Sequence, residues 1–466
     1  MSDIHDLLKH HRQEHVLAFW DGLTLKQQDS LREQVEALNF DVIERCRTLL
    51  ESVSSEQCTV SSSPSPLTPA PVTALSELER EALRERGGEE IRNGKVGVIL
   101  VAGGQGSRLG YEGPKGCYPI GPIRQTSLFF YHARKILALE RHYGTCIPLY
   151  VMTSPDNNED TVNFFKAHEY FGLSRERVFF FPQAMWPAFT PDGNIILDAP
   201  DHIVTCPDGH GGMLAALDCN GCLADMQRRG LTTLFYFQVD NPLVDIADPA
   251  FIGFHRQEGA DISIKVCEKR DPDEGLGVVV NTQDGKTVMV EYTELTTEQK
   301  NERREDGKLK YLFGSVAIHV FSAEFLYRIV KVGLPLHVAH KKISYCAPDG
   351  TTVKPEMNNG YKFEKFIFDC MAEAKKVSCL AFERADEFSP LKNAVGDDSP
   401  ATCRRDLQLK WNRLLDSCGI AVPTGADGLP IRPIEIDPCY AFDFDTLRER
   451  LIEHSRASDP LILVGT

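Results

Sequence analysis

The sequence predicts an α/β fold with a doubly wound, mostly parallel sheet. Residues 96–102 form an unbroken apolar run, which is typical of a strand buried on both faces of a parallel sheet. From residue 95 to residue 240, such segments alternate with amphipathic ones, as they do in repeated strand–helix units. A glycine-rich turn follows the first strand, at the end of the sheet where these folds bind ligands.

This alternation predicts a definite order of elements. Strands are expected at 96–102, 147–153, 178–181 and 233–239, and helices at 127–142, 160–170 and 213–227. Beyond residue 261, extended segments at 262–267, 277–281 and 287–292 indicate a partly antiparallel extension. A strand at 311–321, helices at 323–333, 362–375 and 401–418, and a loop at 388–394 complete the order.

Three regions are predicted along the chain. Residues 1–90 form a helical N-terminal region, with helix-like spacing over 4–50 and a further helix near 76–85. A Ser/Pro-rich linker interrupts this region at about 54–71. Residues 91–400 form the central α/β domain, and residues 401–466 form a small C-terminal module.

Composition and charge exclude several classes of protein. The chain has 466 residues, of which 42% are hydrophobic and 25% charged, as in ordinary globular proteins. The formal net charge of −16 argues against general nucleic-acid binding, which requires a basic surface. No apolar run is long enough to span a membrane, and the N-terminus lacks the features of a signal peptide. We therefore expect a cytoplasmic protein whose 14 cysteines are reduced thiols.

One cysteine pair, Cys219 and Cys222, has the spacing of a metal-binding or redox motif. A zinc site would need two further ligands, and the nearest candidates, Cys206 and His210, are irregularly spaced. The favoured interpretation is a pair of thiols in a short helix.

The glycine turn differs from the two best-known phosphate-binding loops. It reads Gly103-Gly104-Gln105-Gly106-Ser107-Arg108-Leu109, with Pro114-Lys115 following. A P-loop needs G-x-x-x-x-G-K-[ST], which is absent here, and a dinucleotide fingerprint would need glycine where Leu109 stands. The pattern G-G-x-G-[ST]-R-L followed by P-K resembles the nucleotidyltransferases that join a nucleoside triphosphate to a sugar 1-phosphate.

Such a reaction brings together mutually repelling phosphates, so it requires cations, backbone N–H groups and a divalent metal. Asp240 ends the strand at 233–239 and offers a carboxylate to Mg²⁺, although an aspartate here can also simply cap a turn. Lys115 follows a proline, and Lys392 lies in the proline-containing loop. Lys362 is expected at a helix start, where phosphate is also favoured.

Two further segments could contact a base or a sugar. Residues 207–212 form a second glycine-rich turn that opens a helix and offers backbone contacts. Glu291 and Tyr292 end an extended segment, where the carboxylate could accept hydrogen bonds from two sugar hydroxyls. The same pair could equally occupy an ordinary surface position of a strand.

Taken together, these motifs resemble the eukaryotic-type UDP-N-acetylhexosamine pyrophosphorylases and, more broadly, the UDP-sugar pyrophosphorylase family. The similarity extends over nearly the whole chain and fades in the C-terminal tail. It is carried by the glycine loop and by segments in the family's order: 13–15 with 19–20, 181–183 with Pro187, 207–212, 239–241, 290–292, 360–366 and 386–393.

The resemblance implies a Rossmann-like, GT-A-like fold of the nucleotide-diphospho-sugar transferases, with the catalytic domain at 91–400. It also implies roles for individual residues. Nucleotide-binding positions are Ala102, Gly103, Gly104, Lys115, Gln183, Gly209, Asp240 and Lys362. Sugar-binding positions are His210, Glu291, Tyr292, Ser315 and Lys392, and catalytic positions are Arg108, Lys115 and Lys392. Asp240 would hold Mg²⁺, and Arg108 would stabilise the leaving pyrophosphate.

The expected function is therefore transfer of uridylyl from UTP to a sugar 1-phosphate, giving a UDP-sugar and pyrophosphate. The sugar remains open, because His210 and Ser315 stand where the family has asparagine at sugar contacts. N-acetylglucosamine 1-phosphate is favoured, with glucose or galactose 1-phosphate as the alternative. A non-catalytic sugar-nucleotide sensor is a further alternative, although Arg108, Lys115, Asp240 and Lys392 are all retained. The tail is shorter than in the eukaryotic enzymes, so the oligomeric state is left open.

Overall fold

The structure is a computed structural model that describes residues 2–55, 67–453 and 462–463. The chain folds into two compact units. The smaller unit contains residues 2–55, 183–213 and 333–369, and the larger unit contains the rest of the described chain. The units are discontinuous in sequence, so the predicted boundaries near residues 90 and 400 stay a prediction about sequence regions.

Helices occur in both units. In chain order they are α1 (Ser2–His10), α2 (Leu25–Glu36), α3 (Phe40–Ser55), α4 (Glu77–Arg92), α5 (Leu128–Tyr143), α6 (Pro155–Ala167), α7 (Met213–Cys219), α8 (Cys222–Arg228), α9 (Pro249–Glu258), α10 (Thr297–Asn301), α11 (Ala323–Val332), α12 (Arg384–Glu387), α13 (Pro400–Ser417) and α14 (Phe444–Glu453).

The strands are β1 (Thr68–Pro69), β2 (Val72–Thr73), β3 (Val96–Val101), β4 (Leu149–Thr153), β5 (Val178–Pro182), β6 (Met185–Pro187), β7 (Leu197–Ala199), β8 (His202–Ile203), β9 (Thr205–Pro207), β10 (Thr233–Gln238), β11 (Ile262–Glu268), β12 (Val278–Asn281), β13 (Thr287–Val290), β14 (Phe313–Ser322), β15 (His337–Lys341), β16 (Tyr345–Cys346), β17 (Thr352–Val353), β18 (Gly360–Glu364), β19 (Val377–Ala381), β20 (Glu435–Ile436) and β21 (Ile462–Leu463).

The larger unit is built on one sheet, with eleven strands in the described part of the chain. Its main order is β2-β19-β11-β14-β10-β3-β4-β5, and β12 pairs with β1, β13 and β14 at the side. The pairs β3–β4, β4–β5 and β3–β10 are parallel, whereas β14 runs antiparallel to both neighbours. The predicted α/β class with a mixed extension is confirmed.

Burial explains the central position of β3. Val98, Ile99 and Leu100 have no solvent exposure, as expected for a strand covered on both faces. Because β3 pairs in parallel with both β4 and β10, three strands end at the same edge of the sheet. The glycine loop therefore lies beside the segment that follows β10.

The smaller unit has its own hydrophobic core. Leu8, Val16, Leu31 and Phe189 are fully buried in it, in one cluster with Leu197, Ile203 and Phe363 of the short strands. The largest antiparallel pair of these strands joins β15 to β18. This unit carries the second glycine-rich turn, residues 207–212.

The C-terminal region packs on the larger unit through buried carboxylates. Glu435 has no exposed surface and accepts hydrogen bonds from the backbone N–H groups of Ile123 and Arg124 at 2.9 and 2.7 Å. Asp437 accepts hydrogen bonds from Nε and Nη2 of Arg134 at 2.9 and 3.1 Å. The C-terminal module is thus integrated into the larger unit, a role that the proline-rich tail did not indicate.

Two segments predicted as single helices have a different secondary structure. The segment predicted as a helix at 362–375 contains the end of β18 and then a 3-10 helix, Ile367–Glu373. Residues 362–364 pair with residues 337–339 of β15, so strand pairing occupies the backbone groups that a helix would need. The helix predicted at 213–227 is divided into α7 and α8, because Gly221 adopts φ +72°.

This division separates the cysteine pair: Cys219 ends α7 and Cys222 begins α8. The predicted common helix is therefore wrong. All cysteines among the described residues are free thiols. Within residues 2–55, 67–453 and 462–463, no group of three His, Cys, Asp or Glu side chains is arranged to hold a metal ion.

Candidate active site

The glycine loop is held at both ends by the larger unit. Ala102 N donates to the Met152 carbonyl at 2.8 Å, and Lys115 N donates to the Gly104 carbonyl at 3.0 Å. Asn157 Nδ2 donates to the carbonyl oxygens of Ala102 and Gly104 at 3.0 and 3.4 Å. Hydrogen bonds from neighbouring segments therefore hold the loop in place.

The glycines of this loop serve different purposes. A side chain at Gly106 would stand 2.8 Å from Tyr111, and one at Gly116 would overlap the Phe129 ring at 2.1 Å, so internal packing explains both. A Cβ at Gly104 would meet no protein atom within 4 Å. The chain leaves open space on this face, where a ligand could approach the backbone closely.

Lys115 and Asp240 are brought together beside the loop. Gln238 is in register with Val101, which places Asp240 next to the start of the glycine turn. Lys115 Nζ lies 3.9 Å from Asp240 Oδ2, and the two side chains are 18% and 14% exposed. A cation and a carboxylate are thus largely shielded from water at the ligand-binding end of the sheet.

The Lys392 loop packs on the same strand end. Leu391 N donates to the Asp240 carbonyl at 2.8 Å, and Ser389 N donates to Asn241 Oδ1 at 3.1 Å. Asn241 Nδ2 donates in turn to the Glu387 carbonyl at 2.6 Å. Hydrogen bonds from Ser389 and Leu391 therefore attach the Lys392 loop to the segment that contains Asp240, the predicted metal-binding residue.

Lys392 also lines a polar cavity of about 560 Å³ together with Tyr292. The ring of Tyr292 covers Gly275, where a Cβ would be 3.6 Å away. Glu291 Oε1 stands 3.4 Å from the Cβ position of Gly277, whose carbonyl accepts a hydrogen bond from Ser315 N at 2.9 Å. Three predicted sugar-binding residues of the larger unit thus lie around residues 275–277.

Arg108 lies in the C-terminal part of the glycine loop. It belongs to the short 3-10 helix Ser107–Leu109, and its side chain is exposed. The structure therefore places Arg108 on the same loop as Gly103 and Gly104, with its guanidinium group accessible.

In the smaller unit, the turn at 207–212 is tightly constrained. Gly209 has φ +83°, and a Cβ there would lie 2.4 Å from the Lys365 carbonyl. Gly211 N donates to that same carbonyl at 2.8 Å, and Asp208 N donates to the Ala184 carbonyl at 3.1 Å. These contacts place Gln183, which is buried, close to the glycine turn in space.

His210 is held in one tautomer. Its Nδ1 accepts the Ile367 N–H at 3.1 Å, so Nε2 carries the ring proton. The ring stacks on Phe366, with centroids 5.4 Å apart. Burial, with a smaller contribution from His337, lowers the pKa of His210 to about 4. At pH 7 this side chain is a neutral hydrogen-bond donor.

Asp208 precedes this turn and is 1% exposed. Its carboxylate packs over Gly212, where a Cβ would clash at 2.0 Å. Burial raises the pKa of Asp208 to about 7, although Lys365 opposes the shift. The turn therefore contains a carboxyl group that is partly protonated near neutral pH.

Lys362 does not occupy a helix start, contrary to the prediction. It lies inside β18, opposite Ala339 of β15. Backbone N–H groups of a helix terminus therefore cannot assist it, because those groups are engaged in the strand pair. Any phosphate contact of Lys362 would come from its ammonium group.

Several supporting residues escaped the sequence analysis. Asn157 anchors the glycine loop, and Lys265 donates to Asp248 at 2.7 Å and Glu387 at 2.5 Å beneath the Asp240 segment. The dipeptide Ser154-Pro155, which marks the beginning of α6, could have drawn attention to Asn157. No local pattern indicates the buried Lys265 cluster.

The fold and these contacts define an α/β nucleotide-binding protein, with a glycine loop, a cation and a carboxylate at adjoining strand ends. Residues 44–397 match the protein family described as UTP–glucose-1-phosphate uridylyltransferase. Because the match covers more than half of the chain, the protein belongs to this family of uridylyltransferases.

Similar proteins span the same length. The chain is 37% identical over 492 residues to human UDP-N-acetylhexosamine pyrophosphorylase-like protein 1, covering 99% of this chain and 97% of the relative. It is 35% identical over 446 residues to UDP-N-acetylglucosamine pyrophosphorylase of Saccharomyces cerevisiae, covering 91% and 93%.

Two solved structures extend this similarity to the fold. One is the uridine diphosphate N-acetylglucosamine pyrophosphorylase of Trypanosoma brucei, with a TM-score of 0.82, 26% identity and coverage of 100% of this chain and 98% of that one. The other is a putative UDP-N-acetylglucosamine pyrophosphorylase of Entamoeba histolytica, with a TM-score of 0.76, 34% identity and coverage of 86% and 100%. The predicted family and fold are confirmed.

Proposed function

We propose that this protein is an enzyme that makes UDP-N-acetylglucosamine and pyrophosphate from UTP and N-acetylglucosamine 1-phosphate. The observation that carries the proposal is the 3.9 Å approach of Lys115 to Asp240 beside the glycine loop. Full-length relatives with this named activity support the choice of sugar.

The reaction needs no covalent enzyme intermediate. A phosphate oxygen of the sugar 1-phosphate attacks the α-phosphorus of UTP, a new P–O bond forms, and the bond to the β-phosphate oxygen breaks. Pyrophosphate leaves with the electron pair of that bond. The main task of the protein is therefore to align the phosphates and offset their repulsion.

The residues divide this task. The triphosphate is bound by backbone groups at Ala102, Gly103 and Gly104 and by the ammonium group of Lys115. Arg108 stabilises the negative charge of the leaving pyrophosphate. Gln183 and Gly209 bind uracil, and Lys362 supplies a further cation for phosphate. Lys392 neutralises the phosphate that joins nucleotide and sugar. These roles follow the family resemblance, and the positions of Lys115 and Lys392 around Asp240 support them.

The sugar contacts offer both kinds of hydrogen-bonding group. Glu291 accepts from sugar hydroxyls, and Tyr292 covers the cavity that Lys392 lines. His210 presents a fixed Nε2–H, which can donate to a hydroxyl or acetyl oxygen as an asparagine amide would. Ser315 retains a hydroxyl near Gly277 where the family has an amide.

Magnesium fits the carboxylate that is present. Asp240 is one shielded carboxylate, and Mg²⁺ is commonly held by one or two carboxylates together with substrate phosphates and water. When bound at Asp240, Mg²⁺ would supply positive charge against the triphosphate. Lys115 would complement it by donating to a phosphate oxygen.

The cytoplasm is the compartment we propose for this reaction. The cysteines that the structure describes are free thiols, as expected in a reducing environment. No described helix is both long and apolar enough to cross a membrane.

The function is tested with the purified full-length chain, UTP and Mg²⁺. N-acetylglucosamine, N-acetylgalactosamine, glucose and galactose 1-phosphates are supplied separately, and pyrophosphate release and product mass are measured. We expect the highest kcat/KM with N-acetylglucosamine 1-phosphate. Preference for a non-acetylated sugar would replace the proposed substrate, and UTP binding without turnover on any acceptor would indicate a sensor.

A further inference from the structure

A chain of contacts joins the Lys392 loop to residues 270–276. The backbone N–H groups of Lys392 and Asn393 donate to one acceptor, the Asp398 carbonyl, at 2.7 and 3.0 Å. Asp398 Oδ1 accepts a hydrogen bond from Arg270 Nη2 at 3.3 Å. We propose that Arg270 is a positioning residue, which fixes Lys392 for the phosphate of the sugar substrate. This inference rests on the proposed function.

Arg270 is itself oriented by a buried carboxylate. Glu274 accepts from Arg270 Nε at 2.9 Å and from the Arg270 backbone N–H at 2.8 Å. Arg384 donates to the same carboxylate at 2.6 Å. With its Nε bound to Glu274, Arg270 directs Nη2 towards Asp398.

Asp398 is suited to transmit this constraint. Its φ of +54° lies in the left-handed region, which aspartate tolerates better than most residues with a side chain. The side-chain bond to Arg270 and the two backbone bonds at its carbonyl fix this conformation. Loss of the side-chain bond frees Asp398 to relax, and the backbone of Lys392 would move with it.

The same tether reaches the predicted sugar contacts. Leu276 N donates to the Glu274 carbonyl at 2.7 Å, and Gly275 lies under the Tyr292 ring. Arg270, Glu274, Tyr292, Lys392 and Asp398 all line the cavity of about 560 Å³. Arg270 thus connects the wall that carries Tyr292 with the wall that carries Lys392.

The variant that removes the tether should still fold. The Arg270 side chain is 43% exposed, so its ion pairs are screened by water and contribute little to global stability. Positioning is more sensitive, because a displacement of about 1 Å in a catalytic group can cost about 100-fold in rate. The effect is therefore expected in kinetics and local structure.

The first test is steady-state kinetics of Arg270→Met, with Arg328→Met as the control. Arg328 forms a comparable ion pair with Asp261 at 2.6 Å in the same unit, and no role in the site is assigned to it. We expect Arg270→Met to raise the KM for N-acetylglucosamine 1-phosphate about 10-fold and to leave the KM for UTP within twofold. Asp398→Gly, which tolerates the left-handed backbone and removes the acceptor, should reproduce this effect. The double variant should add no more than twofold, because both substitutions remove one interaction.

The second test follows Lys392 directly and does not depend on turnover. Acetylation of Lys392 by a neutral amine-reactive ester is measured by mass spectrometry, with the exposed Lys308 as the internal reference. We expect the rate at Lys392 to change at least threefold in Arg270→Met and to be unchanged in Arg328→Met.

An unchanged Lys392 rate overturns the inference, even if the KM rises, since Arg270 would then contact substrate directly. Unchanged kinetics in an active enzyme overturn it as well. A wild-type protein without turnover would reject the proposed function alone. The acetylation rate would then decide whether Arg270 fixes Lys392.

Discussion

At the scale of single residues, the chemistry depends on charges that remain available to a ligand. Lys115 Nζ and Asp240 Oδ2 are 3.9 Å apart, which is longer than a hydrogen bond. Each group therefore keeps its donors or acceptors for a phosphate or a metal ion. Their partial burial strengthens such interactions, because water screens them less.

Removing either charge should impair turnover much more than stability. For Lys115→Ala and for Asp240→Asn we expect kcat/KM to fall by at least about 100-fold, the loss typical of one electrostatic contact to a transition state. Lys308→Ala, which breaks an exposed ion pair with Glu268 in the same unit, is the control. Initial rates and thermal unfolding midpoints of all three variants provide the comparison. Near-normal turnover in either of the first two would remove that residue from the proposed site.

The raised pKa of the buried Asp208 carboxyl group predicts that stability depends on pH. Burial raises its pKa from 3.8 to about 7 in the folded chain, so between these values the folded state binds more protons than the unfolded state. Its contribution to stability is therefore present below pH 4 and lost as the pH rises towards 7. Relative to Asp208→Asn, the wild-type free energy of unfolding should decrease over this interval, as measured by urea denaturation at several pH values. Parallel pH profiles of the two proteins would contradict the shift.

At the scale of elements, two helices of the larger unit cross with their backbones in contact. A Cβ at Gly87 of α4 would lie 1.8 Å from the Pro249 carbonyl oxygen, and one at Gly253 of α9 would lie 2.0 Å from that of Leu83. Backbone atoms cannot yield as the end of a side chain can. The glycines thus fix the distance between α4 and α9, and α9 begins shortly after the Asp240 segment.

A methyl group at this crossing should destabilise the fold. We expect Gly253→Ala to lower the free energy of unfolding by about 1–3 kcal/mol, the usual cost of overpacking. The expected change in the free energy of unfolding is opposite in sign to that at an unhindered helix position, where alanine is favoured over glycine. Gly22→Ala, which meets no atom within 4 Å, is the matched control. Chemical denaturation of both variants measures the two free energies of unfolding. Equal values would show that α4 and α9 can move apart without a loss of stability.

At the scale of the whole molecule, ligand binding is coupled to the folding equilibrium. A ligand that binds the folded chain stabilises it against unfolding by mass action. Unfolding therefore reports nucleotide binding independently of turnover.

UTP with Mg²⁺ should raise the thermal unfolding midpoint of the protein. At a ligand concentration 100 times Kd, the stabilisation amounts to about 2.7 kcal/mol. Removing the metal with EDTA should reduce the shift, since the charge of Mg²⁺ would no longer offset the repulsion between Asp240 and the triphosphate. In Asp240→Asn the EDTA-sensitive part of the shift should be lost. An equal shift with and without metal in the wild type would argue against a metal at Asp240.

The sequence by itself determined the parallel core and the family, and it supplied the candidate site residues as a prediction. The buried run of β3, the glycine turn and the residues at strand ends are local signals, because their chemistry is written in adjacent positions. Reliance on local signals also explains the failure at Lys362, because this residue pairs with Ala339, 23 positions away, and no helical pattern reveals that pairing.

Only the tertiary structure decided which charges meet. The 3.9 Å approach of Lys115 to Asp240, the anchoring of the glycine loop by Asn157 and the bond between Arg270 and Asp398 all join distant parts of the chain. Such contacts depend on strand register and loop packing, which arise from the balance of many weak interactions over the whole fold. Sequence patterns therefore identified the chemical groups, and packing determined their geometry.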